Sequence, residues 1–427
     1  MTTPVKDLRI EPGSVKINSA VLINKNGFGL DIVNLVAGLN LYESINSPFF
    51  TGNINVTDAA AVKELFPLMG EEQLILDIET PGLADTNKVF RRKMHFMVYK
   101  MTNAENVAEK QVFYTLHFVS IEGFTDINVK ISQTYRGNIS ETVQKLVKNQ
   151  PGLISKKEIA VENTTNNETY TSNFWTPTQN IYYLTTKAIN SNNNNSYVFF
   201  ENNEGFIFSS LEGLMKAGTY MNLFKHNKTR KPGEPQSAQE EYEKVLDISI
   251  PEHFDYYQRL QSGFYGGSIY HYDIFYKRLN FFNRLAKPQW GDKHMHLNKY
   301  LAISDNLQFT PDSVGLTQVI HRKLYNDTTG YPLDHSLKRM ATLSWIEAQK
   351  INVRVLGRWD YSVGRIVNLT AYTNTAISSE TPDDQIIDYA LSGNYLITAI
   401  SHEITKQAHY CNIEMCKDSF IKDLNRE

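Results

Sequence analysis

The sequence predicts a mainly β chain of antiparallel strands with α+β insertions. Three observations carry this. Apolar and polar residues alternate over several segments, as half-buried strands require. Aromatics make up 12% of the chain, led by 24 Tyr and 22 Phe, and these residues suit pleated surfaces and interfaces. The helical period appears only in restricted windows, first beyond about residue 126.

The N-terminal part is strand-rich. In the stretch Leu41 to Asp58, Pro48 fixes its own φ and pushes Ser47 toward extended geometry, so Asn46 to Pro48 reads as a turn. From Thr51 the pattern alternates, with Gly52, Ile54 and Val56 on one face and Thr51, Asn53, Asn55 and Thr57 on the other. Asp58 is an N-cap for a short helix, Ala59 to Phe66, stopped by Pro67. Gln73 to Glu79 is a second strand. Strand, short helix, strand suits the core of a small β-barrel. Lys93 to Met101 and Gln111 to Ser120 also alternate and pair as a hairpin across a polar loop, Thr102 to Lys110.

Beyond residue 126 the period changes. Asn138 caps a helix with Glu141 at N3, and Ile139, Val143, Leu146 and Val147 form its apolar stripe. Asn163 to Ser172 is expected to be a polar, mobile loop. Thr176-Pro-Thr-Gln179 is a capping box with proline at N1, opening a helix that buries Ile181, Leu184 and Ala188. Tyr197 to Phe200 and Phe206 to Phe208 flank Asn202 to Gly205 as a hairpin. Residues 225–241 read as a solvated linker, Val245 to Ile250 as a strand, Pro251 to Leu260 as a helix and Gly263 to Phe275 as a Tyr-rich strand region. Residues 285–335 show little periodicity. Ser336 to Gln349 looks helical, and Lys350 to Gly357, Arg365 to Tyr372, Asn394 to His402 and His409 to Asp418 form a four-strand set.

Length and charge bound the function. A chain of 427 residues divides into two to four domains. A net charge of −3, with a pI near 6.4, argues against a basic DNA clamp. Met1 to Arg9 has no apolar run, so no signal peptide is expected, and no stretch reaches the ~20 apolar residues of a membrane span. Cys411 and Cys416 share one predicted strand, face opposite sides and lie ~17 Å apart at ~3.4 Å per residue, so they do not pair. A reducing cytosol is the expected site of synthesis.

Few residues are set up for chemistry. Asp292, His294 and His296, with His321 and His335, stand at metal-friendly spacing, but an ordinary polar loop is the stronger reading. No glycosidase pair, Gly-x-Ser-x-Gly elbow or Walker loop is recognisable. His409 falls on the strand face opposite Cys416, against a nucleophile pair, and His402 reads as a structural residue at a strand end. The acidic run Glu380, Asp383, Asp384 and Asp388 lacks the EF-hand pattern, and a solvated connector is the plainer reading. No catalytic, cofactor-binding or metal residue is assigned.

Four segments, in order, carry a family resemblance. They are Glu43-Ser-Ile45 with Ser47, Pro48, Phe49, Thr51, Gly52, Ile54, Val56 and Asp58; Trp175 to Leu211; Ser262-Gly-Phe-Tyr-Gly-Gly267; and Val355, Gly357, Arg358, Val363, Gly364, Ile366, Val367 and Leu369 followed by Ser392 to His402. Over roughly residues 40 to 418 the chain resembles the baseplate central hub proteins of contractile-tailed bacteriophages, a family also related to the hub half of type VI secretion spike proteins. The resemblance implies two tail-tube-like antiparallel β-barrels plus smaller α+β domains. The expected division is 1–125 for the first barrel and 126–241 for an α+β domain, with helices 139–149 and 177–189, hairpin 197–208 and a polar linker. Residues 242–345 then form an α+β segment lending strands to the second barrel, and 346–427 its remainder.

It further implies a non-enzymatic virion protein, assembled in the bacterial cytoplasm, whose homotrimer forms a pseudo-hexameric ring between a sixfold tube and a threefold spike. Expected partners are the tail tube protein, the central spike and baseplate wedge or tube-initiator proteins, with DNA passing through unbound and no membrane contact. Ser47, Pro48, Phe49 and Phe50 are candidate subunit contacts, against the plainer reading that the two phenylalanines plug their own barrel. The acidic run is a candidate lumen loop. The sequence stops nine residues after Asp418, so no fused spike is expected. A siphophage distal tail or tail-tip protein, and a β-rich secreted hydrolase, are the alternatives.

Overall fold

Thirteen strands join into one sheet that runs through two lobes of the chain. The computed structural model describes residues 12–62, 66, 68–80, 90–108, 111–225, 238–253, 257, 266–273, 277–285, 315–320, 335–346, 349–373, 387–406, 408–419 and 421. The N-terminal lobe contributes Lys16–Ile23, Gly29–Asp31, Val36–Ser44, Thr51–Asp58, Gln73–Thr80, Phe90–Ala108 and Gln111–Ser120. The C-terminal lobe contributes Thr219–Lys225, Val245–His253, Gln349–Leu356, Ile366–Ala371, Gly393–Thr405 and His409–Lys417. The chain is thus mainly β, as its alternation predicts.

The alternation also sets the faces. In Thr51–Asp58, Gly52, Ile54 and Val56 are buried while Thr51, Asn53 and Asn55 are half-buried on the other face. Ile54 and Val56 join Leu74, Leu76, Ile78, Phe96 and Phe118 in the N-terminal core. Ile351, Val353 and Val355 enter the C-terminal core with Ile366, Leu396 and Ile413.

The lobes meet where Gly393–Thr405 pairs antiparallel with Val36–Ser44, placing His402 opposite Leu41 and Ile400 opposite Glu43. The backbone ladder is therefore continuous from one core to the other, which resists hinge motion between them. Thr219–Lys225, inside the span expected for the α+β domain, instead pairs parallel with Ile366–Ala371 in this sheet.

The α+β region forms a third core. Ile139, Val143, Leu146 and Val147 from helix Ile139–Lys148 meet Ile181 and Leu184 from helix Pro177–Thr185, with Phe199, Phe206 and Phe208 from the hairpin. The Asn138 side chain caps the first helix, and the Thr176–Gln179 capping box opens the second.

Several sequence expectations change. Thr102 to Ala108 is strand rather than loop, because the long strand simply extends past the core into solvent with polar side chains. Asn163 to Ser172 is not a loose loop: Asn167–Thr171 pairs with Thr134–Asn138, and Thr164, Asn166, Glu168, Tyr170 and Ser172 are buried. Pro251 to His253 continues a strand where the sequence suggests a helix, and Gly315–Ile320 is a strand within a span of little periodicity. His402 lies inside its strand, not at the end. Of the helix expected over Ala59 to Phe66, residues 63–65 lie outside the described residues and Ala59 to Ala61 are not helical, Ala61 standing at φ +54°; Asp58 accepts from the amides of Ala60 and Val62.

Candidate functional site at the junction of the three cores

The Glu43 to Phe50 segment touches all three cores found among the described residues. Ile45 is buried in the C-terminal core, and its amide donates to the Thr398 carbonyl at 2.9 Å. Phe50 is buried in the N-terminal core, under the Arg92 guanidinium at 4.9 Å. Phe49 packs on the α+β core, edge-on to Phe206 at 6.3 Å. Buried Ile45 and Phe50 each contribute about 1.5–3 kcal/mol and half-buried Phe49 less, against the ~0–1 kcal/mol of an exposed ion pair. Ser47 shapes the turn by donating from Oγ to the Phe49 carbonyl at 2.9 Å, and Ser47 and Pro48 stay half-buried. The two phenylalanines are thus engaged within their own chain, Phe50 in its own lobe and Phe49 on the α+β region.

A buried polar cluster sits beside this segment. The wholly buried Glu43 carboxylate lies 3.2 Å from His402 Nε2 and 3.8 Å from Arg92 Nη1. On the other side of the His402 ring, Nδ1 lies 3.0 Å from His409 Nε2 and 3.2 Å from Cys411 Sγ. Trp359 stacks on His402 at 4.9 Å and leans on His409 at 5.0 Å. Burial raises Glu43 to about 7, partly offset by Arg92, and lowers His402 to about 3, with Arg92 adding to the fall. Burial also holds His409 well below its ordinary range and pushes the Cys411 thiol up. The histidines are therefore neutral at pH 7. A wholly buried, protonated thiol is not set up to attack a substrate.

A second cluster ties the α+β region to the N-terminal lobe. Glu201 accepts from the Phe50 amide at 3.1 Å, from Ser120 Oγ at 2.7 Å and from Lys157 Nζ at 2.6 Å. Lys157 also donates to Glu122 at 2.6 Å, and Ser155 Oγ donates to the same carboxylate. Burial pulls the Lys157 ammonium down, but Glu201 and Glu122 together outweigh it and leave it raised.

The other sequence candidates scatter. Glu380, Asp383 and Asp384 lie outside the described residues, as do Asp292, His294, His296 and His321. Asp388 holds a turn, accepting from the amides of Ala390 and Leu391 at 2.9 and 3.1 Å. His335 is buried at the start of a helix, where its carbonyl accepts from Asn195. Both cysteines are buried and neither forms a disulfide. The cysteine that matters to His409 is Cys411 rather than Cys416. His409 and Cys411, two apart on one strand, share the face that Cys416 does not, and this i, i+2 spacing is the signal that finds the pair.

Scans of the sequence against known protein families and against curated proteins find no match. Comparison of the fold does: the chain is similar in fold to solved tail proteins. A prophage MuSo2 43 kDa tail protein from Shewanella oneidensis aligns with a TM-score of 0.53 and 10% identity, over 94% of this chain and 98% of that one. A tail protein from Neisseria meningitidis MC58 aligns with a TM-score of 0.52 and 9% identity, over 94% of this chain and 96% of that one.

Proposed function

We propose that this chain is a structural protein of a phage tail, and specifically the central hub of a contractile-tail baseplate. In this reading three copies form a pseudo-hexameric ring, because each chain carries two strand-built lobes and three chains then present six. One end continues a sixfold tube and the other receives a threefold spike. The single observation that carries the reading is the unbroken sheet across the Ile400–Glu43 register, which makes one stiff body of two lobes. Shared architecture with tail proteins over nearly the whole chain supports the same conclusion. The net charge of −3 suits a channel wall that lets DNA slide past. Among the described residues no helix is long and apolar enough to cross a membrane.

The work of such a protein is geometry and rigidity. The Glu43 to Phe50 segment holds the lobes and the α+β region in one arrangement, so that any force on one lobe reaches the other. Mass photometry of the purified chain, alone and with the spike protein encoded beside it, tests the reading. A threefold mass in either sample is expected. A monomer that ignores the spike would overturn the hub.

A further inference from the structure

The geometry points to a buried transition-metal site formed by His402, His409 and Cys411, with zinc the expected ion and Glu43 behind it. The three donor atoms lie within 4.8 Å of one another, and all three residues have no exposed surface. A tetrahedral zinc with Zn–N of ~2.0–2.1 Å and Zn–S of ~2.3 Å sets donor–donor edges of ~3.3 Å for N–N and ~3.6 Å for N–S. The observed separations are 3.0 Å between the two nitrogens, and 3.2 and 3.6 Å from the sulfur. Only a few tenths of an ångström separate this arrangement from three corners of a tetrahedral ligand set.

Hydrogen bonding alone serves the trio poorly. With Glu43 ionised, the proton of a neutral His402 belongs on Nε2, facing that carboxylate, and His402 Nδ1 is then an acceptor. When His409 carries its proton on Nε2, it satisfies that acceptor, but its own Nδ1 has no partner among the described residues. A buried acceptor left so costs about 1–3 kcal/mol. When the proton sits on Nδ1 it still meets no partner among the described residues, and two lone pairs 3.0 Å apart share the Cys411 thiol as their one weak donor. That second tautomer is the one a metal ion takes.

Behind His402 the fit extends to a carboxylate. A metal-ligating histidine usually gives its other N–H to a carboxylate, and Glu43 stands there at 3.2 Å from His402 Nε2. On binding, Cys411 gives its thiol proton to solvent as the metal–sulfur bond forms; the thiolate offsets one of the ion's two charges, and the Glu43 carboxylate, shared with Arg92, offsets part of the other. Two imidazoles and a thiolate select zinc-like ions over calcium or magnesium, which take oxygen donors. Such an ion would pin the His409–Lys417 and Gly393–Thr405 strands at the seam with the N-terminal lobe. This inference is independent of the hub reading.

The test uses the full chain. Elemental analysis of protein prepared with zinc is expected to find one zinc per chain. Protein prepared with Co(II) is expected to show a thiolate-to-cobalt absorption band, and Cys411→Val, which keeps an apolar group of similar size, to lose it. Glu43→Gln should weaken zinc binding by about 10- to 100-fold. Folded wild-type protein that holds no stoichiometric zinc and gives no thiolate–cobalt band would overturn the site. Those two wild-type readings decide the matter even if a variant fails to fold.

Discussion

The amide of Phe50 donates a hydrogen bond to the carboxylate of Glu201, 151 residues further along the chain, at 3.1 Å. One carboxylate thereby fastens the Ser47-Pro-Phe-Phe50 turn to the hairpin of the α+β region. Its other oxygen takes Lys157.

Removing that carboxylate leaves a buried amide and a buried hydroxyl unmet and takes one partner from Lys157. Glu201→Ala should cost about 3–5 kcal/mol, the range for breaking a buried pair from one side. Glu201→Gln keeps an acceptor for Phe50 and should cost less. Urea denaturation midpoints of both variants check this, and an unchanged midpoint for Glu201→Ala would show that the turn is held by packing alone.

Gly52 tests how closely the strands approach. A Cβ there would lie 2.5 Å from the Asn40 carbonyl and 2.6 Å from Phe118 Cε2, and neither neighbour has room to yield. Gly52→Ala should cost about 2–3 kcal/mol by overpacking. Gly27 has φ of +79° but nothing within 4 Å, so Gly27→Ala should cost only about 1–2 kcal/mol of backbone strain. Thermal melts that reversed this order would contradict the crowding at Gly52.

The capping box has a separable contribution. Thr176 Oγ1 accepts from the Gln179 amide at 3.2 Å, and Gln179 Oε1 accepts from the Thr176 amide at 3.0 Å. Thr176→Ala should lower stability by about 1 kcal/mol and speed amide exchange in the first turn of the helix. Exchange measured by mass spectrometry on peptides covering residues 176–185 reads the local effect directly.

Lys417 gives the chain a pH dependence. Burial pulls its ammonium from 10.5 to about 7, against the opposing pull of Asp388 and Asp418. The fold therefore binds this proton less readily than the unfolded chain does. Its cost to stability is full below about 7 and is relieved as pH rises toward 10.5. Stability should climb across that window with a slope of at most ~1.36 kcal/mol per pH unit from this group. Lys417→Met should flatten the slope between pH 7 and 10, and an identical slope in the variant would assign the dependence elsewhere.

Much of the fold is written locally. Thr51 to Asp58 and Lys350 to Gly357 are legible because a half-buried strand must alternate, and the helices at 139 and 177 because their caps are explicit. Thr102 to Ala108 is not legible, since a strand that leaves the core keeps no apolar face to betray it. Asn163 to Ser172 misleads for the opposite reason: its polar side chains are buried against partners that no local pattern names. The His409–Cys411 spacing is visible, and the neighbouring strand of the same hairpin sets His402 opposite Cys411, but nothing local brings Glu43 to them.

The sequence by itself determined the mainly β character, the strand faces, the two capped helices and the segments that resemble tail hubs. These follow from periodicity and capping, which act over a few residues. Tertiary structure alone decided that Ile45, Phe49 and Phe50 anchor three different cores, and that Glu43, His402, His409 and Cys411 share one dry pocket. The hairpin of Gly393–Thr405 and His409–Lys417 sets His402 opposite Cys411, whereas Glu43 joins them only through the Ile400–Glu43 register between strands more than 350 residues apart, which is set by the packing of whole lobes.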